Sequence, residues 1–192
     1  MDSRFVPVIW TEDKIPFEAE SYLECEVCTA KSRIIWGEGN PKAPIIIILD
    51  NPGARENKDG QDYVCGTRAT LQLALNQINL SADNVYITYL LKCRPQGSYN
   101  KEKARSFSKP FLEKQIEAIQ PRFIVCLGDV VVQWMFDNKD AHVKDLRGKW
   151  HVMMGFSTMV SYHPLAVRRR PNLMKQFMED FEMLSQRLIG DI

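Results

Sequence analysis

The 192-residue chain lacks any apolar stretch of the about 18 residues that a membrane span requires, since its longest such run covers only Ile45 to Leu49. An excess of one charge is also missing, because 25 basic and 24 acidic residues give a net charge of +1. With 45% hydrophobic residues, this balance excludes a disordered chain but leaves room for a local nucleic-acid-binding patch. No basic start followed by a long apolar core opens the sequence. We therefore expect no secretory signal, no membrane partner and a cytoplasmic location.

Cysteines are few and unevenly spaced. An odd number, five, in a chain without an expected signal argues against a disulfide framework. Cys25 and Cys28 form a C-x-x-C pair, and Cys93 lies in a Lys-Cys-Arg-Pro run. Cys126 lies in an apolar strand pattern and is expected to pack in the core. Cys65 receives no predicted role.

Apolar runs alternate with helical patterns along the chain. The sequence predicts strands at 32–36, 45–49, 85–91, 123–127, 150–154 and 158–162, and helices at 68–77, 109–119, 130–136 and 172–188. Strands that are apolar on consecutive positions belong inside a parallel sheet covered by helices. We therefore expect a three-layer α/β/α fold with a central, mostly parallel sheet. It would form a monomeric single domain over residues 1–192, with 1–31 as an N-terminal extension carrying the C-x-x-C.

Polar residues follow three of the predicted strands. These are Asp50 and Asn51, the segment from Tyr89 to Cys93, and His163. Right-handed crossovers place the carboxyl ends of parallel strands at one edge of the sheet, where ligands bind in open α/β folds. The sequence therefore predicts a site at this edge.

Eight short motifs follow one another along the sequence. They are the C-x-x-C, 36-WGEGNP-41, 51-NPG-53, 85-VYIT-88, 92-KCRP-95, 110-PFL-112, 146-LRGK-149 and 163-HP-164. In this order, over a likeness running from Cys25 to about Phe181, the sequence resembles the uracil-DNA glycosylase superfamily, nearest to its iron–sulfur-containing families 4 and 5. The resemblance implies a uracil-DNA glycosylase-like fold. It also implies hydrolysis of the N-glycosidic bond of uracil, or of another deaminated or damaged base in DNA, as in base excision repair. The base would be flipped out of the stack into a pocket.

The resemblance assigns catalytic roles to three residues. Asn51 would position the water and Asp50 could assist as a base. His163 would hydrogen-bond the carbonyl of the departing base as it gains charge. Pro52 and Gly53 would line the substrate pocket. The competing interpretations are a plain turn at residues 50–53 and a structural histidine.

Two tyrosines would lie against the flipped base. Tyr63 aligns with an aromatic residue that stacks on the base in relatives, although a buried core tyrosine is an equal alternative. Tyr89 stands where relatives usually have an asparagine that recognises uracil through paired donor and acceptor bonds. A tyrosine hydroxyl cannot reproduce that pairing. Tyr89 would fill part of the pocket, so the substrate would be another base, or glycosylase activity would be lost.

The segment after His163 is expected to face DNA. In the superfamily this loop enters the minor groove, with an apolar wedge filling the gap left by the flipped base. Leu165 or Val167 would be the wedge. The basic run of Arg168, Arg169 and Arg170 would bind phosphates, or else form a solvated basic turn.

The cluster ligands of the family would fall at Cys25, Cys28, Cys93 and Ser108. Serine replaces the fourth cysteine, and its oxygen is a harder ligand than a thiolate. Three options stay open: a 4Fe–4S cluster with an incomplete cysteine set, a zinc ion on the same residues, or no metal.

These departures leave two alternatives to a DNA glycosylase. One is a non-catalytic nucleic-acid-binding protein of the same fold, motivated by Tyr89 and Ser108. The other is an α/β protein that binds a free base, nucleoside or nucleotide.

Overall fold

The computed structural model describes residues 5–28, 32–58 and 64–190. Its centre is a six-stranded sheet of order β1-β3-β2-β4-β6-β5. The strands are β1 (Glu38–Gly39), β2 (Ile45–Leu49), β3 (Val85–Tyr89), β4 (Phe123–Leu127), β5 (Trp150–Met153) and β6 (Phe156–Ser161). β3, β2, β4 and β6 run parallel, and the edge strands β1 and β5 are antiparallel to their neighbours. This arrangement confirms the predicted mostly parallel sheet.

Helices cover both faces of the sheet. They are α1 (Gly66–Gln77), α2 (Lys101–Ile119), α3 (Asp129–Met135), α4 (Val143–Leu146), α5 (Pro164–Arg169) and α6 (Met174–Gly190). Two 3-10 helices, Phe17–Glu24 and Pro171–Leu173, complete the described elements. One face of the sheet packs on α1, α5 and α6, and the other on α2, α3 and α4. β2 is buried at every position, which explains why its sequence is apolar without alternation. The three-layer prediction is confirmed.

Two predicted elements differ from the structure. Residues 32–36 do not form the predicted strand; they make a single antiparallel bridge, between Ile34 and Cys93. The edge of β3 pairs instead with the two-residue β1, which ends at Gly39 with φ +97°. Helix α2 begins at Lys101 rather than 109, and Asn100 caps it by accepting a hydrogen bond from the Lys103 amide at 2.9 Å. The prediction of a later start was wrong because the N-terminal turns carry a polar face and Pro110 lies inside the helix.

The fold brings the predicted strand ends together. Leu49 is in register with Tyr89, and the Leu91 amide donates to the Asp50 carbonyl at 2.8 Å. On the other side of β2, the Gly128 amide at the end of β4 donates to Ser161 at the end of β6 at 2.9 Å. The loops after β2, β3, β4 and β6 therefore share one edge, as predicted. Within the described ranges, no helix combines the length and apolarity needed to cross a membrane.

Candidate active site

Asn51, Pro52 and Gly53 form the loop that follows β2. The Asn51 side chain is half-buried, and its Nδ2 donates to the Pro52 carbonyl at 2.8 Å. This bond fixes the amide and leaves Oδ1 able to accept from a water. Residues 51–53 therefore form a turn, as the plain-turn interpretation expects. The same turn places Asn51 Oδ1, a hydrogen-bond acceptor, at the predicted edge of the sheet.

Asp50 points toward helix α2 and not along the loop. Arg105 Nη2 lies 3.3 and 3.4 Å from the two carboxylate oxygens. Burial raises the pKa of Asp50, and the Arg105 guanidinium partly offsets that shift. The pair links the loop after β2 to α2.

His163 caps the N-terminus of α5. Its Nδ1 accepts a hydrogen bond from the Leu165 amide at 3.1 Å, so the proton of the neutral ring is on Nε2. Burial lowers the pKa of His163 to about 4, and the nearby Arg68 guanidinium adds to that shift. Gly128 permits this placement, because a Cβ there would lie 3.0 Å from the His163 Cβ and its φ is +97°. The site therefore holds a neutral imidazole that can donate from Nε2.

Tyr89 is buried at the end of β3, but its hydroxyl is already bonded. It accepts from Arg68 Nη2 at 2.6 Å and donates to Glu38 Oε1 at 3.2 Å. Arg68 Nη2 and Glu38 Oε1 also form an ion pair 2.5 Å apart, in which both side chains are at least nine-tenths buried. The hydroxyl of Tyr89 is bonded inside the protein and its ring is packed in the core, so the predicted contact of Tyr89 with a base is not seen in this structure.

A second carboxylate, that of Glu56, lies against Gly53 in the loop after β2. A Cβ placed on Gly53 would lie 2.5 Å from Glu56 Oε2, and Cys65 Sγ donates to Glu56 Oε1 at 2.9 Å. Burial raises the pKa of Cys65 to about 11, so the thiol keeps its proton for that bond. Glu38, Glu56, Cys65 and Arg68 line a cavity of about 220 Å³.

Sequence reasoning missed Glu38, Glu56 and Arg68 as site residues. One signal was available for Arg68, because a cation in the first turn of a helix opposes the helix dipole and needs a compensating partner. Glu38 lies in a turn-rich motif, which does not indicate a buried side chain. Glu56 lies in a charged loop whose pattern gives no hint of burial.

The predicted DNA-facing loop forms the short helix α5. Its three arginines, 168 to 170, are exposed, and Leu165 is half-buried. Val167 is fully buried in the core against α1 and α6, so it is not placed to act as a wedge. The Arg168 guanidinium lies against Gly66, where a Cβ would be 2.3 Å from its Cζ. Tyr63 lies outside the described residues.

The three predicted cysteine ligands meet where the end of the first 3-10 helix packs against the segment after β3. The sulfur atoms of Cys25, Cys28 and Cys93 all lie within 4.8 Å of one another. Cys28 and Cys93 form a disulfide, and Cys25 is a free, buried thiol. The disulfide differs from the expectation that the cysteines form none. It arises because the fold packs the C-x-x-C against the end of β3, and thiols so close can share a metal or oxidise.

Ser108 is fully buried on α2, and its hydroxyl is engaged elsewhere. It donates to the Leu90 carbonyl and lies 2.9 Å from the Tyr22 hydroxyl. Tyr22 in turn accepts from the Lys92 amide at 2.7 Å. Once the Cys28–Cys93 disulfide is reduced, three thiolates would be close enough to hold one metal, and Ser108 is not free to act as the fourth ligand among the described residues. Cys126 is buried in β4, as predicted.

The comparisons with known proteins agree with this architecture. Residues 36–183 match the family described as "Uracil DNA glycosylase superfamily". A type-4 uracil-DNA glycosylase of Saccharolobus solfataricus is 31% identical over 185 residues, which cover 92% of this chain and 86% of the relative. The type-4 enzyme of Archaeoglobus fulgidus is 32% identical over 91% of this chain and 92% of its own length, and that of Thermotoga maritima is 27% identical over 89% and 93%. By fold, motif order and similarity along most of its length, the chain belongs to the uracil-DNA glycosylase superfamily.

Proposed function

We propose that the protein is a DNA N-glycosylase that hydrolyses the bond between a deaminated base, uracil first among them, and deoxyribose in base excision repair. The observation that carries this proposal is the neutral His163, whose Nδ1 is held by the Leu165 amide at 3.1 Å. Because Nδ1 accepts this bond, the ring carries its proton on Nε2, and this fixed donor can stabilise negative charge on a departing base. The relatives named type-4 uracil-DNA glycosylase support the same activity.

The reaction uses groups at two strand ends. Asn51 Oδ1 would accept a hydrogen bond from the water that attacks C1′ of the sugar. As the oxygen–C1′ bond forms, the bond from C1′ to the base breaks and its electron pair leaves with the base. His163 Nε2–H would donate to the base carbonyl on which this charge collects. The water proton passes to solvent, and Asp50, whose carboxylate contacts Arg105, would assist as the base next to Asn51 in the chain.

The DNA contacts come from α5 and the residues that follow it. Arg168, Arg169 and Arg170 are exposed and would bind phosphates, which supply affinity without sequence information. Leu165 is the remaining candidate for the wedge, since Val167 is part of the core.

A metal held by Cys25, Cys28 and Cys93 would be structural. These thiolates join the segment after the first 3-10 helix to the end of β3, and iron–sulfur and zinc centres both accept such ligands. Anaerobic purification followed by iron, zinc and sulfide analysis decides between them. Anaerobically purified protein without iron or zinc, whether Cys28 and Cys93 are thiols or a disulfide, would show that the site holds no metal.

Tyr89 favours a second candidate function, a DNA-binding protein without base release. Tyr89 stands where the resemblance described above expects a base-reading asparagine, and its hydroxyl is bonded to Arg68 at 2.6 Å. Such a protein would bind DNA with a strong salt dependence and leave every base attached.

The test is product analysis on DNA containing uracil in single strands, in U·G pairs and in U·A pairs. We expect free uracil, detected by mass spectrometry, in equal amount to new abasic sites. Salt-dependent binding with neither product would establish the second candidate instead. Free uracil without abasic sites would contradict hydrolysis at C1′.

A further inference from the structure

Helix α2 directs one largely buried cation at the loop that carries the candidate catalytic residues. Arg105 lies in the second turn of α2, and its side chain is 12% exposed. Its Nη2 lies 3.3 Å from one carboxylate oxygen of Asp50 and 3.4 Å from the other. A nitrogen that is nearly equidistant from both oxygens restrains how the carboxylate is turned as well as where it lies.

The main chain at Asp50 is held independently of Arg105. The Leu90 amide donates to the Leu49 carbonyl at 2.7 Å, and the Leu91 amide donates to the Asp50 carbonyl at 2.8 Å. With the backbone fixed in this way, the position of the carboxylate depends on the side-chain torsions of Asp50. Arg105 therefore acts on the side chain of Asp50 rather than on the path of the loop.

The Asp50 carboxylate keeps room for a further hydrogen-bond donor. Its side chain is 26% exposed, and an ionised carboxylate offers about four acceptor positions. Arg105 contacts each of the two oxygens once, so other positions are open to a water. Asn51, the residue proposed to accept from the attacking water, is next in the chain.

Among the described residues, the cations that act on Asp50 come from α2. Burial raises the pKa of Asp50, and Arg105 and, less strongly, Lys101 lower it. Tyr99 also interacts electrostatically with Asp50, but burial raises the pKa of Tyr99, so its hydroxyl is uncharged at neutral pH. Loss of Arg105 would leave the buried carboxyl with the exposed Lys101, and would favour the protonated form. A protonated carboxyl cannot take a proton from water.

On the basis of the proposed glycosylase activity, we propose that Arg105 is a positioning residue for the reaction, which holds the Asp50 carboxylate ionised and oriented toward the attacking water. As the water oxygen bonds to C1′, one water proton passes to Asp50 and then to solvent. The electron pair of the broken bond leaves with the base. A pair that only attached the loop to α2 would affect folding and leave the pH dependence of base release unchanged.

The first test is the pH profile of single-turnover uracil release at saturating protein, with the full chain. We expect the wild-type rate to fall toward acid as Asp50 binds a proton. In Arg105→Met this fall should begin at a higher pH, because loss of the cation raises the pKa of a buried carboxyl. Release at neutral pH should be roughly tenfold slower. Arg105→Lys keeps the charge and should lie closer to the wild type.

Two controls isolate Asp50 in these profiles. His163 also titrates on the acid side, with a pKa of about 4, but the charges that act on it are Arg68 and Glu56. Its contribution is therefore common to the wild type and the variants. Lys109→Met removes a cation one turn further along α2, where Lys109 lies 3.9 Å from Glu113. This variant should keep the wild-type rate and profile.

Variants of Asp50 then show whether Arg105 acts through it. Asp50→Asn should slow release roughly tenfold or more and remove the fall in rate that belongs to the carboxyl. Adding Arg105→Met to Asp50→Asn should cost no further rate, because the group that Arg105 positions is gone. Two losses that multiply in full would overturn the proposal.

The other outcomes separate this inference from the activity on which it rests. A wild-type rate and profile in Arg105→Met would overturn the positioning role and leave the glycosylase intact. An absence of release of uracil or another deaminated base by the wild-type chain would remove the glycosylase, and this role with it. If Arg105→Met fails to fold, Arg105→Gln, which keeps a polar side chain beside Asp50, carries the same comparison.

Discussion

Replacing His163 by glutamine should remove a defined part of the pH dependence of stability. An unfolded histidine has a pKa of about 6.5, whereas burial lowers the pKa of His163 to about 4 in the folded protein. Above about pH 6.5 the ring is neutral in both states and contributes no difference. As the pH falls from about 6.5 toward 4, the unfolded chain binds a proton that the folded chain does not, so the free energy of unfolding decreases.

The size of this effect follows from the two pKa values. A gap from about 6.5 to about 4, at about 1.4 kcal/mol for each pH unit, gives an upper limit of about 3 kcal/mol. At about pH 4.5 the linkage reaches about 2 kcal/mol after allowance for the partial exposure of the ring. Aspartates and glutamates also titrate in this range, but they do so equally in the wild type and the variant. The difference between the two proteins therefore isolates His163.

The assay is urea unfolding at about pH 7, where the linkage is nearly absent, and at about pH 4.5, where it reaches about three quarters of its upper limit. We expect the wild type to lose about 2 kcal/mol more than His163→Gln between these conditions. His142→Gln is the matched control, since the His142 side chain is 46% exposed and should behave as the wild type does. An equal loss in wild type and His163→Gln would refute a buried, neutral imidazole.

Three further predictions concern other parts of the chain. Arg147→Met should lower the free energy of unfolding by about 2–4 kcal/mol in urea denaturation, because it strands the buried carboxylate of Asp180 that Arg147 Nε contacts at 3.1 Å; an unchanged midpoint would contradict this. Ser108→Cys should raise the iron or zinc content per chain after anaerobic purification, by adding a fourth thiol, whereas Ser106→Cys on the exposed side of α2 should not; equal metal content in both would count against the site. Reversing the charges of Arg168–Arg170 should weaken DNA binding in titrations. The slope of the logarithm of the binding constant against the logarithm of the salt concentration should also become shallower, by about one phosphate contact for each arginine. An unaltered slope would show that these arginines do not contact the DNA.

The layers of the fold could be predicted because a strand that is buried on both faces of the sheet is apolar at consecutive positions. β2 and β4 are apolar at consecutive positions, and both lie inside the sheet. The edges were harder to predict. β1 is only two residues long, too short for any period, and the start of α2 depends on the Asn100 cap and not on an apolar face.

The candidate site could be predicted in part, for a related reason. Asn51 and His163 directly follow strands, so the topology alone brings them to one edge. Arg68, Glu38 and Glu56 come from a helix start, an edge strand and a loop. Their meeting depends on packing around Tyr89, which no local pattern encodes. The same holds for the hydrogen bond from Ser108 to the Leu90 carbonyl, which no sequence pattern indicates.

The most direct test of the account is single-turnover uracil release by the wild type, Asn51→Ala and His163→Ala at matched DNA occupancy. We predict release by the wild type and a roughly tenfold or greater loss in each variant, the scale expected for one positioned catalytic group. Folding, followed by circular dichroism and thermal unfolding, should be retained at neutral pH. Wild-type rates in both variants would contradict the assignment of these two residues to the chemistry.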